Sequence, residues 1–337
     1  MARKVSLKVI AQKAGVSTTL VSYVLNNQKV NRINKQTAEK IRQVARQLHY
    51  RANLVAKSLK TNKTFTIGLV VADISNPFFS SLARIIEDAA EEKNYIVIFG
   101  SSDENLEKFS RLTDTFMNRQ VDGMIIAPPE NAEQQIEYLE QQQVPFVVVD
   151  RYFPSLNVDY VVLDNTDAAR QAVNHLIDGG RKRIGMITYR TGLKHLADRR
   201  LGYKKALHEH SIHCNEGWCR EVGIGNSKSE IEEAVHALLF SAEPVDAILL
   251  ASNYIANHAV KYINTLPVKV PLDLALVCFD ETESLDLFYA PLSYIEQPLE
   301  VMGQEAIRIL LNKLEKKEEP VQLSLKAKLV PRESSRP

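Results

Sequence analysis

The 337-residue sequence has few cysteines, no long apolar run and almost no acidic residues near its N-terminus. Its three cysteines, Cys214, Cys219 and Cys278, are too few and odd in number for a disulfide framework, which favours a reducing compartment. No apolar run is long enough to span a membrane, and the N-terminus lacks a signal peptide's apolar core and small-residue cleavage site. We therefore expect a cytoplasmic protein without a membrane partner.

Charge divides the chain into two unequal parts. Residues 1–63 contain 14 Lys or Arg side chains and one acid, Glu39, a net charge of +13, although the whole chain carries +1. The remaining 274 residues therefore carry a net charge of −12. A small basic segment ahead of an acidic body is typical of a nucleic-acid-binding module fused to a domain that binds something else.

Residues 7–25 have the pattern of two short helices joined by a tight turn. Apolar residues at helical spacing form one stripe on the first helix, which is predicted to end at Gly15. Ser17 can cap a second helix that keeps Thr18 and Thr19 on its polar outer face. An ordinary helical hairpin would share this pattern, but the charge favours a helix-turn-helix that enters the DNA major groove. A third helix after Asn34 completes a head over residues 1–49.

A linker over residues 50–63 precedes a long region of alternating strands and helices. The linker can form a helix but has no partner of its own to bury its apolar side chains. From Thr66 onward, short and continuously apolar strands occur in two successive series, which indicates parallel sheets covered on both faces. The predicted fold class is α/β: an all-α head followed by two similar lobes, with a ligand crevice at the carboxyl ends of the strands.

Several segments, in this order and spacing, make the sequence resemble the LacI/GalR family of bacterial transcriptional regulators over essentially its full length. They are VIAQKAGVSTTLVSYVLN, HYRANLVAKSLKTNKT, VVADISNPFF, VVVDR, DRRLGYKKAL, LLASN, VCFDE and PLSYIEQP. The resemblance implies a hinge helix in the linker, a core like a periplasmic sugar-binding protein, and a homodimer on a pseudo-palindromic operator. We divide the core into an N-subdomain, residues 64–163 plus 292–322, and a C-subdomain, residues 164–291 plus 323–337.

The resemblance also implies which residues contact DNA. They are Ser17, Thr18, Thr19, Ser22, Tyr23 and Asn26 in the head, and Asn53, Ala56 and Leu59 in the linker. Thr18, Thr19 and Tyr23 match the residues that read base edges, and the other three in the head match phosphate contacts. The family most often has Arg at the position of Tyr23, so we expect an operator different from the family's usual one. Packing of Tyr23 against the sugar-phosphate backbone is the alternative.

In the linker, Leu59 corresponds to the apolar wedge that paired hinge helices insert into the operator's minor groove. Ala56 falls where two hinge helices need a small side chain in order to approach. The family usually has Pro at the position of Ala52. Because Ala leaves the free linker less restricted than Pro, more of the conformational entropy is lost when the linker orders on DNA.

Effector binding is predicted between the lobes. The residues implied by the resemblance are Asn76, Phe78, Phe79, Asp150, Arg151, Arg199, Asn253, Asp280 and Gln297. Carboxylates, amides and guanidinium groups with an aromatic face suit a polyol, because each hydroxyl both donates and accepts. The stretch GIGNSKSE lacks the aromatic residue that many sugar-binding members stack on the ligand, and two arginines leave an acidic sugar or a phosphorylated ligand open. As a further alternative, Asp150 and Asp280 only follow strands and cap helices.

We predict a repressor controlled by a sugar or sugar derivative, and no enzyme. The sequence contains no P-loop, nucleophile elbow or H-E-x-x-H motif, and we predict no catalytic residues and no cofactor. The stretch HEHSIHCNEGWC is rich in metal ligands, but its spacing matches no closed zinc pattern, so no metal is predicted. The alternatives are a solute-binding protein with a basic extension and an α/β sugar-modifying enzyme.

Overall fold

The computed structural model describes residues 5–26, 32–50, 63–224, 228–315 and 319–336. The chain forms two compact units, Met1–Thr64 and Phe65–Pro337, and each is described by itself. Most of the predicted linker, residues 51–62, lies outside the described residues. Across the described ranges, no helix is both long enough and apolar enough to cross a bilayer.

The head contains the three predicted helices, α1 (Leu7–Ala14), α2 (Thr18–Leu25) and α3 (Lys35–Gln47). Helix α1 ends at Gly15, whose φ of 71° lies in the left-handed region that glycine adopts without strain. The side chains of Ser17 and Asn34 cap α2 and α3 by accepting hydrogen bonds from backbone N–H groups. One apolar face of each helix packs into the core of the head, which includes Ile10 from α1, Val21 from α2 and Ile41 from α3.

The first lobe of the core is a parallel sheet with helices on both faces. Its elements are β1 (Thr66–Val71), α4 (Pro77–Glu92), β2 (Ile96–Ser101), α5 (Leu106–Asn118), β3 (Gly123–Ile126), α6 (Glu133–Gln141), β4 (Phe146–Val149), β5 (Tyr160–Leu163), and later α11 (Leu299–Glu315) and β11 (Gln322–Leu325). The strand order is β11-β5-β4-β3-β1-β2.

The second lobe repeats this architecture. Its elements are α7 (Asn165–Asp178), β6 (Ile184–Tyr189), α8 (Lys194–Glu209), β7 (Cys219–Val222), α9 (Lys228–Leu239), β8 (Ala247–Leu250), α10 (Asn253–Ile263), β9 (Ala275–Phe279), β10 (Ser293–Glu296) and β12 (Lys328–Val330). The order β12-β10-β9-β8-β6-β7 matches that of the first lobe, except that β12 runs antiparallel to β10. The prediction of two similar, mainly parallel α/β lobes is confirmed.

The sheet pairing differs from the predicted subdomain boundaries at 292 and 323. Strand β10, predicted in the N-subdomain, pairs with β9 in the second lobe because Tyr294 and Ile295 pack into that lobe's core. Strand β11, predicted largely in the C-subdomain, pairs with β5 in the first lobe. The chain therefore returns to the first lobe after β10, and it crosses to the second lobe again between β11 and β12.

Side chains that alternate along the strands fill two apolar layers in each lobe. In β1, Leu69 packs on the side of α4 and α11, while Val70 packs on the side of α5 and α6. Strand β2 at the sheet edge departs from the expectation of cover on both faces, since Ile96 and Phe99 are 64% and 61% exposed.

Candidate functional site

The outer face of α2 is polar and accessible. Thr18 and Thr19 are exposed, and Tyr23 is half-buried. The hydroxyl of Ser17 accepts the Leu20 N–H at 3.2 Å, so Ser17 both caps the helix and lies at its N-terminus. The Asn26 amide donates to the carbonyl of Ser22 at 2.9 Å and contacts its hydroxyl at 3.3 Å. All six head residues predicted to contact DNA thus lie on or beside one helix. The three predicted linker residues, Asn53, Ala56 and Leu59, lie outside the described residues.

A cavity of about 620 Å³ lies between the two lobes of the core. All nine residues predicted to bind an effector line it. The first lobe contributes Asn76, Phe78, Phe79, Asp150 and Arg151, the second contributes Arg199, Asn253 and Asp280, and Gln297 comes from the segment that returns to the first lobe. The strand-to-helix connections bring them together, because the carboxyl ends of parallel strands in both lobes face this crevice.

Asp150 and Asp280 occupy the same position in the two lobes. Asp150 follows β4 and Asp280 follows β9, the corresponding strand of the second sheet. Both residues have left-handed backbone, with φ of 65° and 73°, a conformation that aspartate tolerates better than most residues. Neither caps a helix, so the alternative of simple helix caps does not apply to them.

The cavity contains polar groups that bridge the lobes and an acceptor without a protein partner. The Asn253 amide donates to Oδ1 of Asn76 at 2.9 Å, which joins the lobes directly. Gln297 donates to Asp280 at 2.6 Å, whereas its own buried Oε1 has no hydrogen-bond partner among the described residues. An unpaired buried oxygen is costly to stability. A ligand hydroxyl that donates a hydrogen bond to this atom would remove the cost.

The two arginines of the cavity are largely engaged by the protein. Arg151 donates from both terminal nitrogens to the carboxylate of Glu104, at 2.7 and 2.6 Å, and also to the Pro128 carbonyl. Arg199 donates to Asn165 and to the Ala251 carbonyl, and its guanidinium carbon lies 3.9 Å from the centre of a phenylalanine ring, that of Phe279.

Burial shifts the protonation equilibria of two groups in the cavity. It raises the pKa of Asp150 to about 6, against the opposing attraction of Arg151 and Arg199. Burial, together with the positive charges of the same arginines, holds the pKa of His195 well below its usual value. The His195 ring is therefore neutral near pH 7.

Several lining residues were not predicted from the sequence. They are Asp73, Ser75, Pro77, Asp103, Glu104, Tyr189, Leu193, His195, Leu196, Ile224, Ser252, Tyr254 and Asn257. Their position at strand ends could have revealed Asp73, Tyr189 and Ser252, because each lies at or just after the carboxyl end of a strand. His195 lies inside α8 and carries no comparable signal. Tyr189 and Tyr254 supply aromatic surface that the stretch GIGNSKSE lacks.

Two family models match the chain. The model for bacterial regulatory proteins of the lacI family matches residues 6–53, and the periplasmic binding protein-like domain matches residues 173–335. A probable HTH-type transcriptional regulator, EndR of Paenibacillus polymyxa, is 32% identical over 93% of this chain and 92% of its own length. The ribose operon repressor of Halalkalibacterium halodurans is 31% identical over 98% of this chain and 97% of its own length.

A solved structure of the transcriptional regulator CelR in complex with cellobiose shares the fold. It has a TM-score of 0.74 and 26% identity, and the likeness covers 98% of this chain and 99% of that one.

A helix-turn-helix head followed by a two-lobed core around a polar cavity defines the class of modular DNA-binding transcriptional regulators. The match to its relatives over nearly the whole length makes the assignment more specific. The chain belongs to the lacI family of bacterial regulatory proteins.

Proposed function

We propose that this regulator is a repressor whose operator affinity is controlled by a neutral, polyhydroxylated ligand of the carbohydrate class. The ligand would bind in the cavity between the core lobes. The observation that carries the proposal is the convergence of acceptors and amides from both lobes, including Asp150, Asp280, Asn76 and Asn253, around aromatic side chains. Two relatives support it, since one is named as a ribose operon repressor and another is solved with cellobiose.

The charges of the cavity favour a neutral ligand over a phosphate or a sugar acid. An anion is bound most strongly by a guanidinium that offers two parallel N–H groups. Arg151 already makes this interaction with Glu104, and Arg199 directs two of its nitrogens to Asn165 and Ala251. The carboxylates of Asp150 and Asp280 would repel a second negative charge.

On the DNA side, Thr18, Thr19 and Tyr23 would read base edges and Ser17, Ser22 and Asn26 would contact phosphates. Their exposure along α2 supports these roles, because side chains on one outer face can reach the major groove together. Within the linker, Leu59 would insert into the minor groove as the wedge. Ala56 would let two hinge helices approach closely, and Asn53 would make a further DNA contact.

We also propose a homodimer on a pseudo-palindromic operator, acting in the cytoplasm where bacterial DNA lies. Two pairs of exposed apolar side chains support dimerisation: Ile96 and Phe99 on edge strand β2, and Leu287 and Tyr289 in the second lobe, which are 87% and 62% exposed. A twofold dimer would carry two heads onto two half-sites.

Control would arise because the ligand binds one arrangement of the lobes better than another. A coupling of about 1 to 3 kcal/mol between ligand and operator is typical for such proteins. A ligand with equal affinity for both arrangements would change nothing, however tightly it bound.

The test is thermal unfolding of the full chain against neutral sugars, sugar acids, sugar phosphates and purines, followed by gel shift of any hit with promoter DNA. A true ligand raises the unfolding midpoint by mass action. We expect a neutral sugar to do so for the wild type and for Asp114→Asn, an exposed control, but not for Asp280→Asn. Stabilisation only by a phosphate or a purine would refute the proposed ligand class. A stabilising sugar that leaves the gel shift unchanged would refute the proposal that the ligand controls operator affinity.

A further inference from the structure

A contact between the lobes lies outside the cavity lining. Glu130, in the loop between β3 and α6 of the first lobe, accepts hydrogen bonds from the second lobe with both carboxylate oxygens. The Thr191 hydroxyl donates to Oε2 at 2.6 Å, and the Gly192 N–H donates to Oε1 at 2.7 Å. Both donors lie in the short connection between β6 and α8. Because charge-assisted hydrogen bonds are stronger than neutral ones, this is a substantial link between the lobes.

The connection at Gly192 fits the carboxylate closely. A Cβ built on Gly192 would lie 2.8 Å from Oε1 of Glu130, nearer than carbon and oxygen approach without displacement. A methyl group at this position would therefore displace the Glu130 carboxylate from the Gly192 N–H.

Helix α8 begins at this contact and also carries cavity residues. Leu193 at its N-cap provides no side-chain cap, so the Glu130 carboxylate supplies negative charge near the helix N-terminus from the other lobe. Lys194 in its first turn lies over the ring of Tyr152 in the first lobe, 5.9 Å from the ring centre. His195 in the same turn and Arg199 in the next turn line the cavity.

We infer that Glu130 is a positioning residue that holds the two lobes close together by accepting hydrogen bonds, across the crevice, from Thr191 and Gly192 just before α8. It contributes whether or not the cavity is filled, because its partners are protein groups outside the cavity lining. Its loss shifts the core toward open lobes and away from the geometry in which Asn76 and Asn253 meet. The consequence for ligands rests on the proposed function: every ligand that binds the closed core loses apparent affinity by the same factor.

Hydrogen–deuterium exchange of the full chain without added ligand tests this inference independently of the effector. The informative amides are Phe78, bonded to Asn76 Oδ1 at 3.0 Å, and Ile255, bonded to Ser252 Oγ at 3.2 Å. They begin helices in opposite lobes, and both adjoin the cavity. We expect Glu130→Ala to accelerate exchange at both helix starts several-fold, while the interiors of both sheets keep their protection.

A double-mutant cycle identifies the contact responsible. Gly192→Ala perturbs the same link from the other side by displacing the Glu130 carboxylate. It should change exchange in the same direction as Glu130→Ala, and adding it to Glu130→Ala should change nothing further. Glu130→Gln keeps an oxygen for the Gly192 N–H and should lie between the wild type and Glu130→Ala. The matched control is Glu137→Ala, which removes an exposed carboxylate from α6 and should behave as the wild type.

Faster exchange confined to residues 190–196 would overturn the inference, because it would show only local loosening. Additive effects of the two substitutions, or a Gln variant no better than Ala, would also overturn it. None of these outcomes bears on which ligand the cavity binds, so the inference and the proposed function fail separately.

Discussion

At the residue scale, the burial of Asp150 in the crevice carries a cost to stability at a position that we propose binds the ligand. Asp150 is 5% exposed and lies 3.4 Å from the Nε of Arg151. A charge removed from water is destabilising unless its surroundings replace the lost hydration. At Asp150 burial outweighs the arginines, and the pKa of its carboxyl rises to about 6. An aspartate retained under such a penalty is consistent with a role in ligand binding.

Asp150→Asn should change how the stability of the ligand-free chain depends on pH. The folded pKa of about 6 is above the unfolded value of 3.8, so the native state binds the proton more tightly. The stabilisation from Asp150 is fully present below pH 3.8 and is lost as pH rises through 6. At pH 8, ionised Asp150 therefore costs up to about 3 kcal/mol, and the Asn variant avoids this cost.

The measurement is urea denaturation of both proteins between pH 5 and pH 8. The stability of Asp150→Asn relative to the wild type should increase as pH rises, whereas Asp114→Asn, which replaces an exposed aspartate on α5, should leave the pH profile unchanged. A difference between variant and wild type that stays constant with pH would contradict the assignment.

The nine cavity residues could be predicted because the family resemblance supplies positions that local propensity cannot. The structure places all nine in one cavity. Asp150 and Asp280 are recognisable as strand-end acids, but their shared left-handed backbone is visible only in the structure. Glu104 was missed because its role depends on pairing with Arg151, 47 residues away, which no local pattern reports. The same holds for Glu130 and Gly192.

At the element scale, helices and strands with strong local signals were predicted well and chain returns were not. Gly15, Ser17 and Asn34 mark helix ends as their chemistry predicts. The stretch SLKAKLV, residues 324–330, is divided between the sheets: its first residues end β11 in the first sheet, and later ones form β12 in the second. Each half pairs with the edge of a different sheet. Tertiary hydrogen bonding decides this pairing, because strand propensity alone does not distinguish the two edges.

The 3₁₀ turn at Glu333–Ser335 shows the same dependence on long-range contacts. Ser334 is fully buried, donates to the Leu276 carbonyl at 2.7 Å and accepts the Ser293 N–H at 2.8 Å. These bonds attach the end of the chain to β9 and β10. A short polar stretch near a terminus would ordinarily be expected to remain exposed.

The outer face of helix α2 can be tested by removing its exposed threonine hydroxyls. The combined substitution Thr18→Ala and Thr19→Ala keeps helix propensity and the Ser17 cap but removes two exposed hydroxyls from the outer face. Operator binding should weaken by on the order of 1 to 3 kcal/mol, and binding to shuffled DNA should change far less, because base contacts carry specificity.

Titrations of both DNAs by fluorescence anisotropy at one salt concentration measure the difference, since affinity for DNA depends steeply on salt. Gln12→Ala on the exposed surface of α1 is the control and should preserve the ratio of the two affinities. Equal losses on both DNAs would show that the two threonines do not read bases.

At the scale of the whole molecule, the basic head and the acidic core suit the proposed division of work between DNA and ligand. The charge of +13 on residues 1–63 attracts any duplex, while the core's net −12 disfavours non-specific contact of the core with DNA. In the proposed dimer, control of one operator would require that the lobes communicate with two heads at once. A twofold arrangement through the first lobe would couple lobe movement to the spacing of the heads.

Phe99→Lys tests that arrangement. Phe99 is 61% exposed on edge strand β2, and a lysine there would bring two like charges together at or near a twofold contact of this strand. We expect the variant to sediment as a monomer at concentrations where the wild type is a dimer. Its operator affinity should fall on the order of 100-fold, because each head would then bind alone without the second half-site. Phe240→Lys, a substitution at a site 51% exposed in the second lobe, should leave both the sedimentation and the operator affinity unchanged. A Phe99→Lys protein that remains a dimer would exclude β2 from the interface, and a wild type that is monomeric while bound to a full operator would exclude the dimer itself.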